Sequence, residues 1–219
     1  MATYQISAKT RLNLIEAAGE LFAEKGIGSV TTREIARKAN AAANAITYHF
    51  GGIDGLVQAV WAYVLIEWEP SSFGRYLARY SQVKKTREVW REIITGGIHL
   101  LFGIMYRADR PQWISKFLIR SALNADGREY VARTVSGDIV PLLMDLYRRV
   151  SGNPDPDSAR CWSLRILAAP MVFTANLTEF SRFRRGASVN AKLYRKLEEV
   201  TIREALFAAG LTESSGGRT

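Results

Sequence analysis

A chain of 219 residues with 47% hydrophobic residues is long enough for one or two packed domains, and this composition excludes a largely disordered protein. The formal net charge of +9 favours an anionic partner such as nucleic acid or a membrane surface. The single cysteine, Cys161, excludes a disulfide within the chain and suits a reducing compartment. Without a signal-like start or an apolar run of about 18 residues, we expect a soluble cytoplasmic protein with no membrane partner.

The first forty residues predict two helices. Apolar residues recur at helical spacing over 8–25, and Gly26 is suited to a left-handed C-cap that ends this helix. A second helix over 32–39 follows, because Thr31 and Glu34 form a capping box at its start.

A tight turn and two further helices come next. Asn40 tolerates the left-handed backbone that a turn between helices needs. A short third helix is expected over 41–48, with Gly51 and Gly52 at its end. Asp54 is expected to cap a fourth helix that runs to about residue 69. Two short helices joined by a tight turn, with a polar outer face, indicate a helix-turn-helix unit.

The rest of the chain predicts a larger helical body. The stretch 70–74 contains Pro, Ser and Gly and is a candidate domain boundary. Pro141 and Pro170 are expected to kink the helices that contain them. The Ser/Gly-rich tail, 213–219, is expected to be disordered. The further helices are expected over about 86–107, 110–123, 126–151, 155–184 and 188–209. No useful strand alternation occurs, so the predicted class is all-α.

The third helix has the side chains that a DNA-reading helix needs. Its stretch 41–45, AAANA, is small enough to enter a major groove about 12 Å wide. Asn44 can bond adenine in bidentate fashion, and Arg33 can reach guanine or a phosphate. The side chains suited to holding backbone phosphates are Thr32, Thr47, Tyr48 and His49. The alternative is a tightly packed alanine-rich helix, with Tyr48 and Phe50 in the core.

Three segments align without gaps with the sequence pattern of a known family. They are AAGELFAEKG at 17–26, TTREIA at 31–36 and YHFGGIDGL at 48–56. Over 10–60 the chain resembles the amino-terminal domain of the TetR/AcrR family of transcriptional regulators. The resemblance implies a homodimer with three-helix DNA-binding heads on a larger helical body, and therefore a helix-turn-helix domain over 1–53 and a ligand-binding and dimerisation domain over 54–212. The positions that it assigns to DNA contacts are Thr32, Arg33, Ala43, Asn44, Thr47, Tyr48 and His49.

Two positions depart from the family pattern. The family commonly has a lysine at the place of Ile53, where it meets a phosphate, so the resemblance implies that one phosphate contact is missing here. Asn40 replaces the usual glycine of the turn and keeps its backbone requirement. Farther along, segments at 117–120, 139–143 and 147–152 resemble the CecR-like branch of the family, although Ser121 stands where that branch tends to carry an acidic residue.

The predicted body is rich in aromatic residues, which at helical spacing are either core or the lining of an apolar pocket. Glycines at 96, 97 and 103 indicate either close helix approach or room for a ligand. The candidate ligand-binding residues are Trp68, His99, Phe102, Trp113, Phe117, Arg120 and Asn176. By resemblance, the last two helices would form a four-helix interface with a second subunit; the alternative is that they close the core of their own subunit.

No histidine, cysteine or carboxylate cluster, P-loop or nucleophile elbow is found in the sequence, so neither an enzyme nor a metal or cofactor is expected. The leading hypothesis is a ligand-responsive repressor that binds a palindromic double-stranded DNA operator as a dimer and is released by a small, largely apolar effector. The alternative is a small-molecule-binding or interaction protein whose helix-turn-helix no longer reads DNA. Ile53 and the alanine-rich helix keep that alternative open.

Overall fold

The computed structural model describes residues 2–68, 72–106, 110–123, 139–175 and 187–211. Within these ranges the chain forms helices and no strand, which confirms the predicted all-α class. The α-helices are α1 Ala2–Lys25, α2 Thr32–Lys38, α3 Ala45–Phe50, α4 Ile53–Trp68, α5 Ser72–Ala78, α6 Arg87–Met105, α7 Gln112–Leu123, α8 Ile139–Ser151, α9 Pro156–Ala175 and α10 Ala187–Ala208. None of the described helices is long and apolar enough to cross a membrane.

Internal contacts divide the chain into two compact units. The amino-terminal unit comprises Met1–Glu69 and Asp109–Glu129, so that it contains α1 to α4 together with α7. The carboxy-terminal unit comprises Pro70–Ala108 and Tyr130–Thr219, with α5, α6 and α8 to α10. The predicted functional division at 53/54 stays a prediction, and the predicted tail lies outside the described residues.

Local sequence signals explain where α2 begins and where α2 and α3 end. Thr31 is the N-cap of α2, where its Oγ1 accepts a hydrogen bond from the Glu34 N–H at 3.3 Å. The Glu34 carboxylate accepts one from the Thr31 N–H in return, so the predicted capping box is confirmed. Asn40 has φ 50, which confirms the predicted left-handed turn. Gly51, with φ 74, ends α3 in the left-handed conformation, and its N–H donates to the Thr47 carbonyl at 2.9 Å.

The predicted start of the third helix at residue 41 is wrong, because α3 begins at Ala45. The reason lies in the turn at Asn40, which is the left-handed residue of a Schellman motif. The Ala41 N–H donates to the Ala36 carbonyl at 2.9 Å, and the Asn40 N–H donates to the Arg37 carbonyl at 3.2 Å. These bonds end α2 but commit the next residues to the turn, so α3 begins four residues late.

Other predicted helix ends also differ. Gly26 has φ 91 but ψ 154, so it turns the chain with a positive φ without being a left-handed helical cap. Asp54 lies in the first turn of α4 and is not its N-cap, because α4 begins at Ile53. The expected break at 70–74 is partly helical, since α5 begins at Ser72. The first helix starts at residue 2 and not at residue 8.

The later helices agree with the predicted ones where the structure describes them. α6, α7 and α10 begin and end within two residues of the expected limits, whereas 126–138 and 176–184 lie outside the described residues. Pro170 lies inside α9. Pro141 lies in the first turn of α8, where a missing N–H removes no helical hydrogen bond, so it requires no kink.

Two of the glycines in α6 allow α5 to approach closely. A Cβ atom placed on Gly96 would lie 2.2 Å from the Tyr76 hydroxyl, and one on Gly97 would lie 3.1 Å from the Phe73 ring. The Tyr76 hydroxyl lies within hydrogen-bond distance of the Glu92 carbonyl, at 3.1 Å, and can donate to it. Burial raises the pKa of Tyr76, so this hydroxyl keeps its proton. For these two glycines the close-approach interpretation is confirmed.

Candidate nucleic-acid interface

The inner faces of α2 and α3 hold the helix-turn-helix together. Ile35 and Ala36 on α2 and Ala45 and Ile46 on α3 are buried, with Ile35 and Ile46 at most 1% exposed. Because these four positions face inwards, the intervening positions face solvent. Of the residues predicted to contact DNA, Thr32, Arg33, Ala43, Asn44, Thr47 and Tyr48 are exposed and His49 is half-buried. Their role in DNA binding stays a prediction.

Asn44 is the N-cap residue of α3, but its side chain makes no capping hydrogen bond. Its amide therefore faces solvent at the amino-terminal end of the helix, which is the end from which recognition helices touch base edges. Ala42 and Ala43 are exposed and precede the helix. The alternative of a tightly packed alanine-rich helix is therefore wrong.

Aromatic rings follow one another at the carboxyl end of α3. The Tyr48 ring packs edge-on against the His49 ring with centroids 4.9 Å apart, and the His49 and Phe50 centroids are 6.2 Å apart. Tyr48 is 80% exposed, so it is not a core residue, whereas Phe50 is half-buried. The Arg11 guanidinium, from α1, stands over the Phe50 ring at 5.0 Å from its centroid. This contact was not predicted from the sequence.

Two ion pairs tie α2 to α1. Lys25 pairs with Glu34, and Lys38 Nζ lies 2.8 Å from Glu20 Oε2. The hydrogen bond from Lys25 lowers the pKa of the Glu34 carboxyl, and the hydrogen bond to Glu20 raises the pKa of Lys38. Each of these two carboxylates therefore has a lysine beside it, which limits the repulsion of an anionic partner.

The junction of α3 and α4 provides little for an anion. Ile53, the first residue of α4, is half-buried and has no donor in its side chain. Asp54 follows in the first turn, where its carboxylate competes with a phosphate for the helix terminus. A Cβ atom placed on Gly55 would lie 1.9 Å from the Phe50 carbonyl oxygen, so a glycine is needed to bring α4 this close to α3.

Three of the candidate ligand-binding residues pack within the amino-terminal unit. Trp113 covers Gly19, where an added Cβ would lie 2.2 Å from Cζ3 of its ring. Phe117 is 1% exposed, with its ring centroid 4.7 Å from that of Trp61. The Arg120 Nε would lie 3.4 Å from a Cβ on Gly26. These contacts are what the core alternative expects, and a ligand-binding role for the three stays a prediction.

The other candidates lie in the carboxy-terminal unit or outside the described side chains. His99 is on α6, and its Nδ1 is 2.8 Å from Glu198 Oε1 in a solvent-exposed pair. Phe102 is 1% exposed and packs on Tyr194, whose hydroxyl donates to the Phe102 carbonyl at 2.7 Å. The Trp68 side chain and Asn176 lie outside what the structure describes.

The helices α9 and α10 present two faces. Their inner residues, such as Phe173 and Tyr194, are buried and close the core of the carboxy-terminal unit, as one alternative expects. On the outside, large apolar side chains remain exposed: Leu164 (52%), Val172 (57%), Leu193 (44%) and Phe207 (72%). Grooves of about 420 and 440 Å³ run between the two helices. Together these side chains give α9 and α10 an apolar outer surface.

Residues 14–60 match the family of bacterial regulatory proteins described as the tetR family. A comparison with curated protein sequences found no match. Solved structures share the fold. A transcriptional regulator from Aquifex aeolicus VF5 is 16% identical with a TM-score of 0.51, and the similarity covers 87% of this chain and 96% of that chain.

Two further structures extend this comparison. The fatty acid degradation regulator FadR from Bacillus halodurans is 14% identical with a TM-score of 0.53, covering 88% of this chain and 94% of that chain. The multidrug binding protein EbrR, complexed with malachite green, is 19% identical with a TM-score of 0.50, covering 88% and 96%. At these identities the likeness shows the fold, and the CecR-like branch stays a prediction.

The family match and the structural similarity both agree with the helix-turn-helix that the described residues form. The matched segment contains α2, the Asn40 turn and α3, and the shared fold extends over most of the chain. Residues 14–60 therefore match the tetR family of bacterial regulatory proteins, and over most of its length the chain shares the fold of solved transcriptional regulators.

Proposed function

We propose that the protein is a ligand-responsive repressor that binds a palindromic DNA operator as a homodimer in the cytoplasm and is released by a small, largely apolar effector. The observation that carries this proposal is the exposed, uncapped amide of Asn44 at the start of α3. An exposed asparagine amide in this place can bond adenine N6 and N7 together. Arg33 and Tyr48, both exposed, flank it on α2 and α3.

Dimerisation is supported by the outer face of α9 and α10. Leu164, Ala168 and Val172 recur every four residues and are all exposed, so they form one apolar stripe along α9. A second copy of the chain would bury this stripe together with Leu193. Two copies related by a two-fold axis would present their α3 helices to successive major grooves, about 34–36 Å apart, which predicts a palindromic operator.

Effector control is supported by the order of the units along the chain. The chain leaves the amino-terminal unit after Glu69, returns to it as α7, and leaves it again after Glu129. A ligand that favours one conformation of the carboxy-terminal unit would therefore act on α7 through both of its ends. The shift cannot exceed the difference in affinity of the ligand for the two states. EbrR, of the same fold, is described as a multidrug binding protein and was solved in complex with malachite green. This likeness supports a small-molecule effector.

Selection of binding sites from random DNA duplexes by the purified full-length protein tests the proposal. The expected result is an enriched near-palindrome whose half-sites are about one helical turn apart. If the Asn44→Ala variant loses that enrichment while its circular dichroism spectrum shows an unchanged fold, recognition of the DNA sequence is assigned to α3. Failure of the wild-type protein to enrich any palindrome would overturn the proposal.

The second candidate is a small-molecule-binding or interaction protein whose helix-turn-helix no longer reads DNA. The observation that favours it is the α3–α4 junction, where Ile53 has no donor and Asp54 is acidic. It predicts that the selection recovers no palindrome while the protein still binds an apolar ligand. Mass spectrometry of small molecules retained by the native protein supplies that second measurement.

A further inference from the structure

We propose that Arg11, on α1, is a contact to a DNA backbone phosphate and is held at the carboxyl end of α3 by the Phe50 ring. This inference rests on the proposed function, because it adds a positively charged contact to the same DNA-binding surface. The guanidinium carbon lies 5.0 Å from the Phe50 ring centroid, and the Arg11 side chain is exposed. An exposed arginine on an aromatic face is fixed by a cation–π interaction while its N–H groups remain directed to solvent.

The position of Arg11 continues the predicted phosphate-binding side chains. Phe50 is the last residue of α3, and its ring is 6.2 Å from the His49 ring, which in turn is 4.9 Å from the Tyr48 ring. Tyr48 and His49 have the hydrogen-bonding groups expected of side chains that hold a phosphate. The Phe50 ring therefore places a full positive charge beside two hydrogen-bonding side chains.

The local charges show why a cation is needed there. The four residues after Phe50 are Gly51, Gly52, Ile53 and Asp54, which together carry one negative and no positive charge. Without Arg11, none of these four residues would offset the negative charge of Asp54 next to a phosphate. No carboxylate of the described residues is paired with Arg11, so its charge is not neutralised within the part of the chain that the structure describes.

The chemistry of the guanidinium identifies the ligand group. Arginine presents parallel N–H donors that match two oxygens of a phosphodiester, and such contacts carry no sequence information. The interaction should therefore strengthen binding to every duplex by the same factor. It should also add one released counterion per subunit to the salt dependence of binding.

The Arg11→Gln variant of the full chain tests this inference. Dissociation constants are measured for the selected operator and for an unrelated duplex, from about 50 to about 200 mM salt. We expect both affinities to fall by the same factor, and the slope of log K against log salt to become shallower by about 1 per subunit. The matched control is Arg79→Gln, which removes the same charge from an exposed arginine of the carboxy-terminal unit and should leave the slope unchanged.

Two further variants separate a phosphate contact from a structural one. Arg11→Lys keeps the charge, so the salt slope should be retained. Phe50→Leu removes the ring that holds the guanidinium, and its loss of affinity should not add to that of Arg11→Gln in the double variant. Thermal unfolding is followed for each variant.

The outcomes are distinguishable. An Arg11→Gln variant with a lower melting temperature but the salt slope of Arg79→Gln would show that Arg11 only fastens α1 to α3. That result overturns the inference and leaves the proposed function standing. If the wild-type protein selects no operator and its binding to DNA does not depend on salt, the proposed function and the inference both fail.

Discussion

The backbone of Asn40 sets the direction in which the chain leaves α2, because it adopts φ 50 where other non-glycine residues avoid positive values. Asparagine suits this position because it tolerates the left-handed backbone conformation, and this explanation requires no contact of its side chain. We therefore expect Asn40→Ala to lower the free energy of unfolding by about 1 kcal/mol. Asn40→Gly, which has the same freedom of backbone, is the matched control and should be as stable as the wild type. Urea unfolding of both variants measures the difference, and equal losses would contradict this account.

Substitutions of Asn44 and Tyr48 should weaken DNA binding in different ways. Removing the Asn44 amide in Asn44→Ala should reduce the preference for the selected operator over a single-base variant by about 1–3 kcal/mol. Tyr48→Phe removes only a hydroxyl expected to hold a phosphate, so it should weaken operator and unrelated DNA to the same extent. Competition binding with the two duplexes measures both. Undiminished preference in Asn44→Ala would contradict the assignment of α3 as the reading helix.

The sequence predicts the role of a side chain when its structural partners are close along the chain. The capping box at Thr31 and the turn at Asn40 depend on neighbours within four residues, so the sequence predicts them. For the predicted DNA contacts that lie on α2 and α3, exposure also follows from the periodicity of these helices. Arg11 was missed because its partner, Phe50, is 39 residues away, and an arginine on the polar side of a helix is usually solvated.

The packing of α7 on α1 places a large ring directly over a glycine. Trp113 covers Gly19 and Phe117 lies near Phe22, with ring centroids 6.5 Å apart, so the contacts advance along both helices in the same direction. Because a Cβ on Gly19 would lie 2.2 Å from the Trp113 ring, that ring must move when the glycine is replaced.

We expect Gly19→Ala to destabilise the protein by about 1–3 kcal/mol, since overpacking exceeds the gain in helix propensity. The matched control is Gly103→Ala in α6, where an added Cβ meets nothing within 4 Å, so that propensity should act alone and stabilise. Chemical denaturation gives both values. A destabilisation of the same size in both variants would show that glycine is required for another reason than the Trp113 contact.

Contacts between distant helices also explain which parts of the fold were not predicted. The sequence around Ser72 contains turn-forming residues, and α5 forms nevertheless because Phe73 and Tyr76 pack on the glycines of α6. Trp113 and Phe117 have the apolar helical spacing of a pocket lining as much as of a core. Only the tertiary structure places them against α1, because α7 joins a unit that the chain had already left.

Across the whole chain, the exposed apolar stripe on α9 gives the proposed dimer a direct test. Leu164 is 52% exposed in the single chain, so replacing it with Glu should leave the fold of the subunit intact. In the dimer the same side chain would be buried, and an unpaired carboxylate there is costly. Leu164→Glu is therefore expected to be a folded monomer at concentrations at which the wild-type protein is a dimer.

Light scattering coupled to size-exclusion chromatography measures this change, and Ile66→Glu is its matched control. Ile66, on α4 of the amino-terminal unit, is 74% exposed and is not part of the apolar stripe on α9, so this variant should remain a dimer. The monomeric Leu164→Glu should also lose most of its affinity for a full palindrome, because two linked half-sites bind with a much higher effective concentration than one. Its affinity for a single half-site should be unchanged. A dimeric Leu164→Glu would place the subunit interface elsewhere, and equal binding of full and half operators by the wild type would contradict two-fold recognition.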